Sequence, residues 1–114
     1  MGFFDFLFGP AVPSITAEEL SQRLKVGKHP LLLDVRQPEE FRQMHIAGAR
    51  LIPLRELQRR MGELPAGREI VCICASGSRS KSAAKILARA GYKVVDVMGG
   101  MHAWRRLSLP VQKG

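Results

Sequence analysis

Three short apolar runs recur along the chain: Leu31-Leu32-Leu33-Asp34-Val35, Ile70-Val71-Cys72-Ile73-Cys74 and Val94-Val95-Asp96-Val97-Met98. Each is continuous rather than alternating, and the last two are rich in β-branched residues, which predicts strands covered on both faces. Between those two, over residues 78–90, the period changes. Ala83, Ala84, Leu87 and Ala90 fall on one side of a helix, while Lys81, Lys85 and Arg89 form a solvated stripe at four-residue spacing, and Gly91 supplies the stop. Strand, helix, strand in that order is a βαβ unit, whose parallel strands require covering helices. Upstream, Thr16-Ala17-Glu18-Glu19 has the form of a capping box, in which the Thr16 hydroxyl accepts from the Glu19 amide. It opens a first helix carried by Leu20 and Leu24, with Gly27 as its stop. Residues 55–61 and 101–107 read as further helices and residues 49–52 as a short strand. The expected fold class is α/β, a small parallel sheet of four or five strands with about five helices on its two faces.

Composition places this pattern in one domain. The chain has 114 residues, 46% of them apolar and 25% charged, which is ordinary for a globular unit and too short for two. Gly9-Pro10 and Pro13 separate an apolar tail, residues 1–13, from the domain proper at residues 14–114. The tail begins Met1-Gly2-Phe3-Phe4-Asp5-Phe6. It lacks a basic leader, is broken by Asp5 and is too short to span a bilayer, so neither a signal peptide nor a transmembrane helix is expected. Phe6 stands where a myristoylation signal has Ser or Thr. A frayed tail or a hydrophobic flap on the domain is the simpler reading, and a contact with a membrane surface or partner the alternative.

The net charge is +8, and its distribution is uneven. Residues 1–57 carry 7 basic and 7 acidic groups, whereas residues 58–114 carry 11 and 3. Such a basic half attracts anions. Nucleic acid is not expected, because no binding motif accompanies the charge and four of the five Phe lie in the tail.

The candidate chemistry begins with Cys74. In an open parallel sheet, ligands collect at the carboxyl ends of strands, where loops lead into helix N-termini. Cys74 ends its apolar run at that place, followed by Ala75-Ser76-Gly77-Ser78-Arg79, small residues that let a loop curl with its amides inward. Inward amides, the positive end of the following helix and Arg79 together make an anion cradle. The cradle favours thiolate over thiol at Cys74 and makes it a nucleophile, with Ala75, Ser76, Gly77, Ser78 and Arg79 as substrate-binding positions. Cys72 lies mid-strand and reads as core. Closing a ring between cysteines two apart would distort a strand, so no disulfide framework is expected, and no Cys/His cluster has metal-ligand spacing. Free thiols point to a reducing, cytoplasmic compartment.

These residues carry a family resemblance. Leu33-Asp34-Val35-Arg36 with Pro38-Glu39-Glu40-Phe41, then Phe41-x-x-x-His45-Ile46-Ala47-Gly48-Ala49, then Cys74 through Arg79, then Gly99-Gly100-x-x-x-Trp104 resemble, in order, the motifs of a rhodanese homology domain of the single-domain type. Ala47 replaces the family's usual Pro, at a structural turn. The resemblance covers the stretch from Ser14 to about Pro110. It implies a sulfurtransferase acting through a persulfide on Cys74. The donor would be a small anion such as thiosulfate or a protein persulfide, and the acceptor a thiol or cyanide. It implies no metal or organic cofactor. The loop amides would stabilise the thiolate and persulfide, and Arg79 would orient the thiosulfate oxyanion.

Two rival classes are set against it. Cys-dependent phosphatases and arsenate reductases place Arg after five intervening residues. Here Arg79 comes after four, Ser80 holds the phosphatase position, and no carboxylate is obviously placed as a general acid. A non-catalytic docking module typically loses the loop Cys, which this chain retains, although a persulfide relay between proteins is compatible with it. Asp34 should be paired, with Arg36 or Arg79 as the available cation. Arg36 is also a candidate for lining the mouth and steering anions. His45 reads as a structural hydrogen-bonder, His102 as a surface helix residue near the loop, and Trp104 as core.

Overall fold

A computed structural model of the chain describes residues 11–27 and 29–114, and the readings made for the Phe-rich segment 1–10 lie outside them. Strands β1 (Ser14–Ile15), β2 (Leu31–Asp34), β3 (Arg50–Leu51), β4 (Ile70–Ile73) and β5 (Val94–Val97) form one sheet in the order β1-β5-β4-β2-β3. Every pairing in it is parallel. The helices are α1 (Ala17–Arg23), α2 (Pro38–Gln43), α3 (Leu57–Arg60), α4 (Ser78–Arg89) and α5 (Gly100–Arg106). The expected α/β class is therefore observed, with the sheet at its upper strand count.

Continuous apolar runs are what a sheet covered twice demands, since successive side chains point to opposite faces. Leu33, Ile70, Cys72, Cys74 and Val94 pack against Ala83, Ala84 and Leu87 of α4 and Leu57 of α3. On the other face Leu32, Val71, Ile73, Val95 and Val97 meet Ala17 and Leu20 of α1 and Met101 and Trp104 of α5. Trp104 is 2% exposed and its indole nitrogen donates to Pro110 O at 2.9 Å, so its assignment to the core is the observed one.

Local signals fixed the helix starts more firmly than the ends. Thr16 Oγ1 accepts from the Glu19 amide at 3.1 Å and the Glu19 carboxylate accepts from the Thr16 amide at 3.3 Å, a reciprocal box. Helix α1 stops at Arg23, capped by Leu24, short of the expected Gly27. Strand β5 stops at Val97, leaving Met98 47% exposed, because the chain there turns into the Gly99-Gly100 pair. Cys74 falls one residue beyond β4, at the carboxyl edge of the sheet.

Candidate functional site

The loop after β4 places its sulfur by backbone geometry. Gly77 adopts φ +110°, a left-handed conformation that folds the chain back so that α4 begins directly over Cys74. The amides of Gly77 and Ser80 donate to Cys74 Sγ at 3.1 and 3.2 Å. The thiol contacts Ser80 Oγ at 3.3 Å, and Ser80 Oγ in turn donates to Gly77 O at 3.2 Å. Cys74 is 1% exposed, while Ser76 and Ser78 of the same loop are exposed and Ala75 and Arg79 half-buried.

Inward amides require outward carbonyls, and α5 supplies the partners. The Met101 and His102 amides donate to Cys74 O at 2.7 Å and Ala75 O at 3.0 Å. This docking depends on Gly100, at φ +52°. A Cβ there would run into Cys74 O and lie 2.8 Å from Ala75 O. The double glycine thus lets the first turn of α5 approach the loop backbone and hold it amides-inward. His102 borders the loop through its main chain, while the residue as a whole is exposed.

A second tie reaches Arg79 from α2. Its two terminal nitrogens donate to the two Glu40 oxygens at 2.7 and 2.9 Å. This fork holds the Glu40 carboxyl down at about 2, well below its ordinary range, and pushes the Arg79 guanidinium up. Arg79 is therefore engaged in fixing the loop to α2 rather than standing free as an anion ligand. Behind it, Arg36 is 4% exposed and faces inward, which corrects its candidacy for the mouth. Its Nε and Nη2 donate to Asp34 at 2.9 and 2.7 Å, and Nη2 also to Met44 O at 2.8 Å. Of the two cations open to Asp34, Arg36 is the one that pairs with it. The 0% exposed Asp34 requires that partner, because an uncompensated buried carboxylate is strongly destabilising.

His45 is 4% exposed and stacked on Phe41 at 3.7 Å between ring centroids. With Nδ1 donating to Phe41 O at 2.8 Å, Nε2 accepts from the Gln112 side chain at 3.0 Å, so both ring nitrogens serve the scaffold. Cys72 is fully buried, and that burial, with lesser influence from Asp96 and Cys74, pushes its thiol far above the ordinary range. Ser80, Glu40 and Gly100 were not picked out as site residues from sequence. Ser80 had a signal available, since the third residue of a helix presents an amide without an intrahelical acceptor.

Among the described residues, no group of three or more His, Cys, Asp or Glu is clustered to hold a metal ion, and no helix is long and apolar enough to cross a membrane. A cavity of about 600 Å³ lies at the opposite, amino edge of the sheet, lined by Arg23, His29, Arg68 and Glu69 among others. Its Arg23 and Glu69 pair with each other at 2.7 Å, and no Cys, Ser or Thr lines it. The small cradle around Cys74 is the candidate site instead.

Comparison with known proteins agrees with this geometry. The model of the rhodanese-like domain family matches residues 16–107. A protein of Allochromatium vinosum named sulfurtransferase is 41% identical over 101 residues, covering 88% of this chain and 94% of that one. The putative sulfurtransferase YtwF of Bacillus subtilis is 33% identical over 87% of this chain and 96% of its own length. The putative sulfur carrier protein YrkF of the same organism is 39% identical, but the chain spans only 51% of it. Among solved structures, a rhodanese-related protein from Thermoplasma volcanium superposes with a TM-score of 0.82 at 35% identity, covering 88% of this chain and 97% of that one. The five-stranded parallel sheet flanked by helices agrees with these likenesses, and the chain belongs to the rhodanese-like family.

Proposed function

We propose that the protein is a sulfurtransferase that carries a sulfane sulfur on Cys74. The observation that carries this reading is the sulfur cradle itself: two amides, from Gly77 and Ser80, at 3.1 and 3.2 Å from Sγ. Donors so placed stabilise negative charge on sulfur, first on the thiolate and then on the persulfide. The Cys74 thiolate attacks the outer sulfur of thiosulfate. The S–S bond of the donor breaks, sulfite leaves with the bonding pair, and a Cys74 persulfide remains. A thiol or cyanide then attacks the terminal sulfur, and the Cys74 thiolate is restored with its electron pair. A protein persulfide serves as donor by the same exchange, with a thiolate leaving instead of sulfite.

Phosphate ester chemistry is disfavoured by the residue at the sixth position after the cysteine. Ser80 is fully buried there, with its hydroxyl 3.3 Å from the sulfur, where a phosphatase loop carries its arginine. Arg79, one position earlier, is gripped by Glu40. The test is a side-by-side assay. Thiocyanate should form from thiosulfate and cyanide, while an aryl phosphate is not hydrolysed above background. Ready phosphatase turnover without thiocyanate would reverse the assignment.

A further inference from the structure

Asp96 takes no part in the contacts described so far. It is 1% exposed on β5, and neither carboxyl oxygen has a hydrogen-bond partner among the described residues. Asp34, equally buried, is held by Arg36. A lone carboxylate in such a place is costly, which favours its protonated form. Burial pushes the Asp96 carboxyl up, against smaller opposing influences from Ser80, Lys81 and the Val97 amide.

Its position connects it to the sulfur. Asp96 is paired in register with Cys72 on β4 and Ser14 on β1. By the alternation of side chains along β4 and β5 it shares a sheet face with Cys72 and Cys74. The first turn of α4 covers that face, and Ser80 lies near enough to Asp96 to influence its ionisation. The Ser80 hydroxyl donates to Gly77 O while touching Cys74 Sγ. Fully buried Ser80 thus neighbours both the carboxyl and the sulfur. The titratable and charged groups facing Asp96 are Cys72 from β4 and Lys81 from α4; Ser14 alongside on β1 is uncharged.

When Cys74 loses its proton, Ser80 Oγ loses the S–H it accepted from and can turn its own proton to the sulfur. The oxygen then needs a donor behind it. We propose that Asp96 is a positioning residue for Cys74: its protonated carboxyl donates to Ser80 Oγ, which donates to the anionic sulfur beside the Gly77 and Ser80 amides. The proton from Cys74 leaves the chain, Asp96 keeps its own, and the only new charge is on sulfur. An ionised Asp96 acts in the opposite sense, drawing the Ser80 proton away and placing like charge near the thiolate. The inference deepens the reading of Cys74 as the nucleophile and rests on it.

The test follows the rate of Cys74 alkylation by iodoacetamide across pH, which reads the sulfur whether or not thiosulfate is a donor. Asp96→Ala should slow alkylation at neutral pH by roughly tenfold, the worth of one hydrogen bond to a charged group, and move the profile to higher pH. Asp96→Asn, neutral and still a donor, should stay within about twofold of wild type. In a Ser80→Ala background, Asp96→Ala should have no further effect, as a relay through Ser80 requires. Equal slowing in the Asn and Ala variants, an unshifted profile in both, or additive losses in the double variant would each overturn the proposal. Asp96→Asn against wild type decides it even where the Ala variant does not fold. If the alkylation pattern holds and no thiocyanate forms, the sulfur-transfer reading fails and the positioning role stands.

Discussion

Substituting Glu40 by Gln removes one charge from a pair that joins α2 to the cysteine loop, and its consequences can be worked out from the geometry. The Glu40 carboxyl drops from its ordinary 4.5 to about 2, chiefly through its hydrogen bonds to Arg79. Unscreened, a drop of that size corresponds to ~3 kcal/mol of native-state stabilisation. Both side chains are 34% exposed, however, and solvent screening brings the expected contribution down to ~1 kcal/mol, at the upper end for exposed pairs because the contact is bidentate. For a domain of this size that is a fall of about 4 °C in melting temperature near neutral pH. Because the folded-state value is depressed, the stabilisation is fully present above 4.5 and is lost as pH falls towards about 2. Wild type and Glu40→Gln should therefore differ near neutrality and converge in acid, as read by thermal unfolding monitored by circular dichroism at several pH values. Thiocyanate formation should fall several-fold in the variant, since Arg79 no longer anchors the loop. Identical melting temperatures at neutral pH, or a gap that persists unchanged into acid, would refute the role given to this pair.

Three further outcomes follow from other parts of the site. Gly100→Ala forces a Cβ against Cys74 O and Ala75 O at a backbone angle of φ +52°, and should abolish most sulfur loading while the sheet still gives a native circular dichroism spectrum; full loading would show that α5 does not brace the loop. In the folded protein near neutral pH, peptide mapping after brief alkylation should find the label on Cys74 alone, because burial pushes the Cys72 thiol far up; substantial Cys72 labelling would contradict that packing. The second-order rate with thiosulfate should fall as ionic strength rises, given that residues 58–114 carry 11 basic and 3 acidic groups, and a flat profile would mean that the charge does not steer the donor.

Much of the fold was legible because the sheet is buried on both faces. Continuous runs at Leu31, Ile70 and Val94 announce strands without regard to tertiary partners, and the alanine face of α4 announces the crossover. Strand β1 was not legible, since Ser14 and Ile15 are two residues whose extended state comes from pairing with Asp96 and Val97. Helix α2 was not legible either. None of its residues is fully buried, so it has no apolar period, and its local signals are confined to the start: Pro38, Glu39 and Glu40 in the first turn and the Glu40 carboxylate accepting from the Gln37 amide. The nucleophile's place was readable from Cys74 ending a strand before small residues. Its partners were not, because they depend on long-range approach: Glu40 reaches Arg79 from 39 residues away, and Gly100 meets Cys74 only once α5 folds back. Asp96 was hidden inside a run read as apolar, where one carboxyl among valines gives no periodic signal.

The most direct measurement is the intact mass of the protein after incubation with thiosulfate, before and after cyanide. Wild type and Cys72→Ser should each gain the mass of one sulfur atom and lose it to cyanide with release of thiocyanate. Cys74→Ser should gain nothing. Loading that survives in Cys74→Ser and disappears in Cys72→Ser, or a wild type that never takes up sulfur from thiosulfate or from a protein persulfide, would contradict the account.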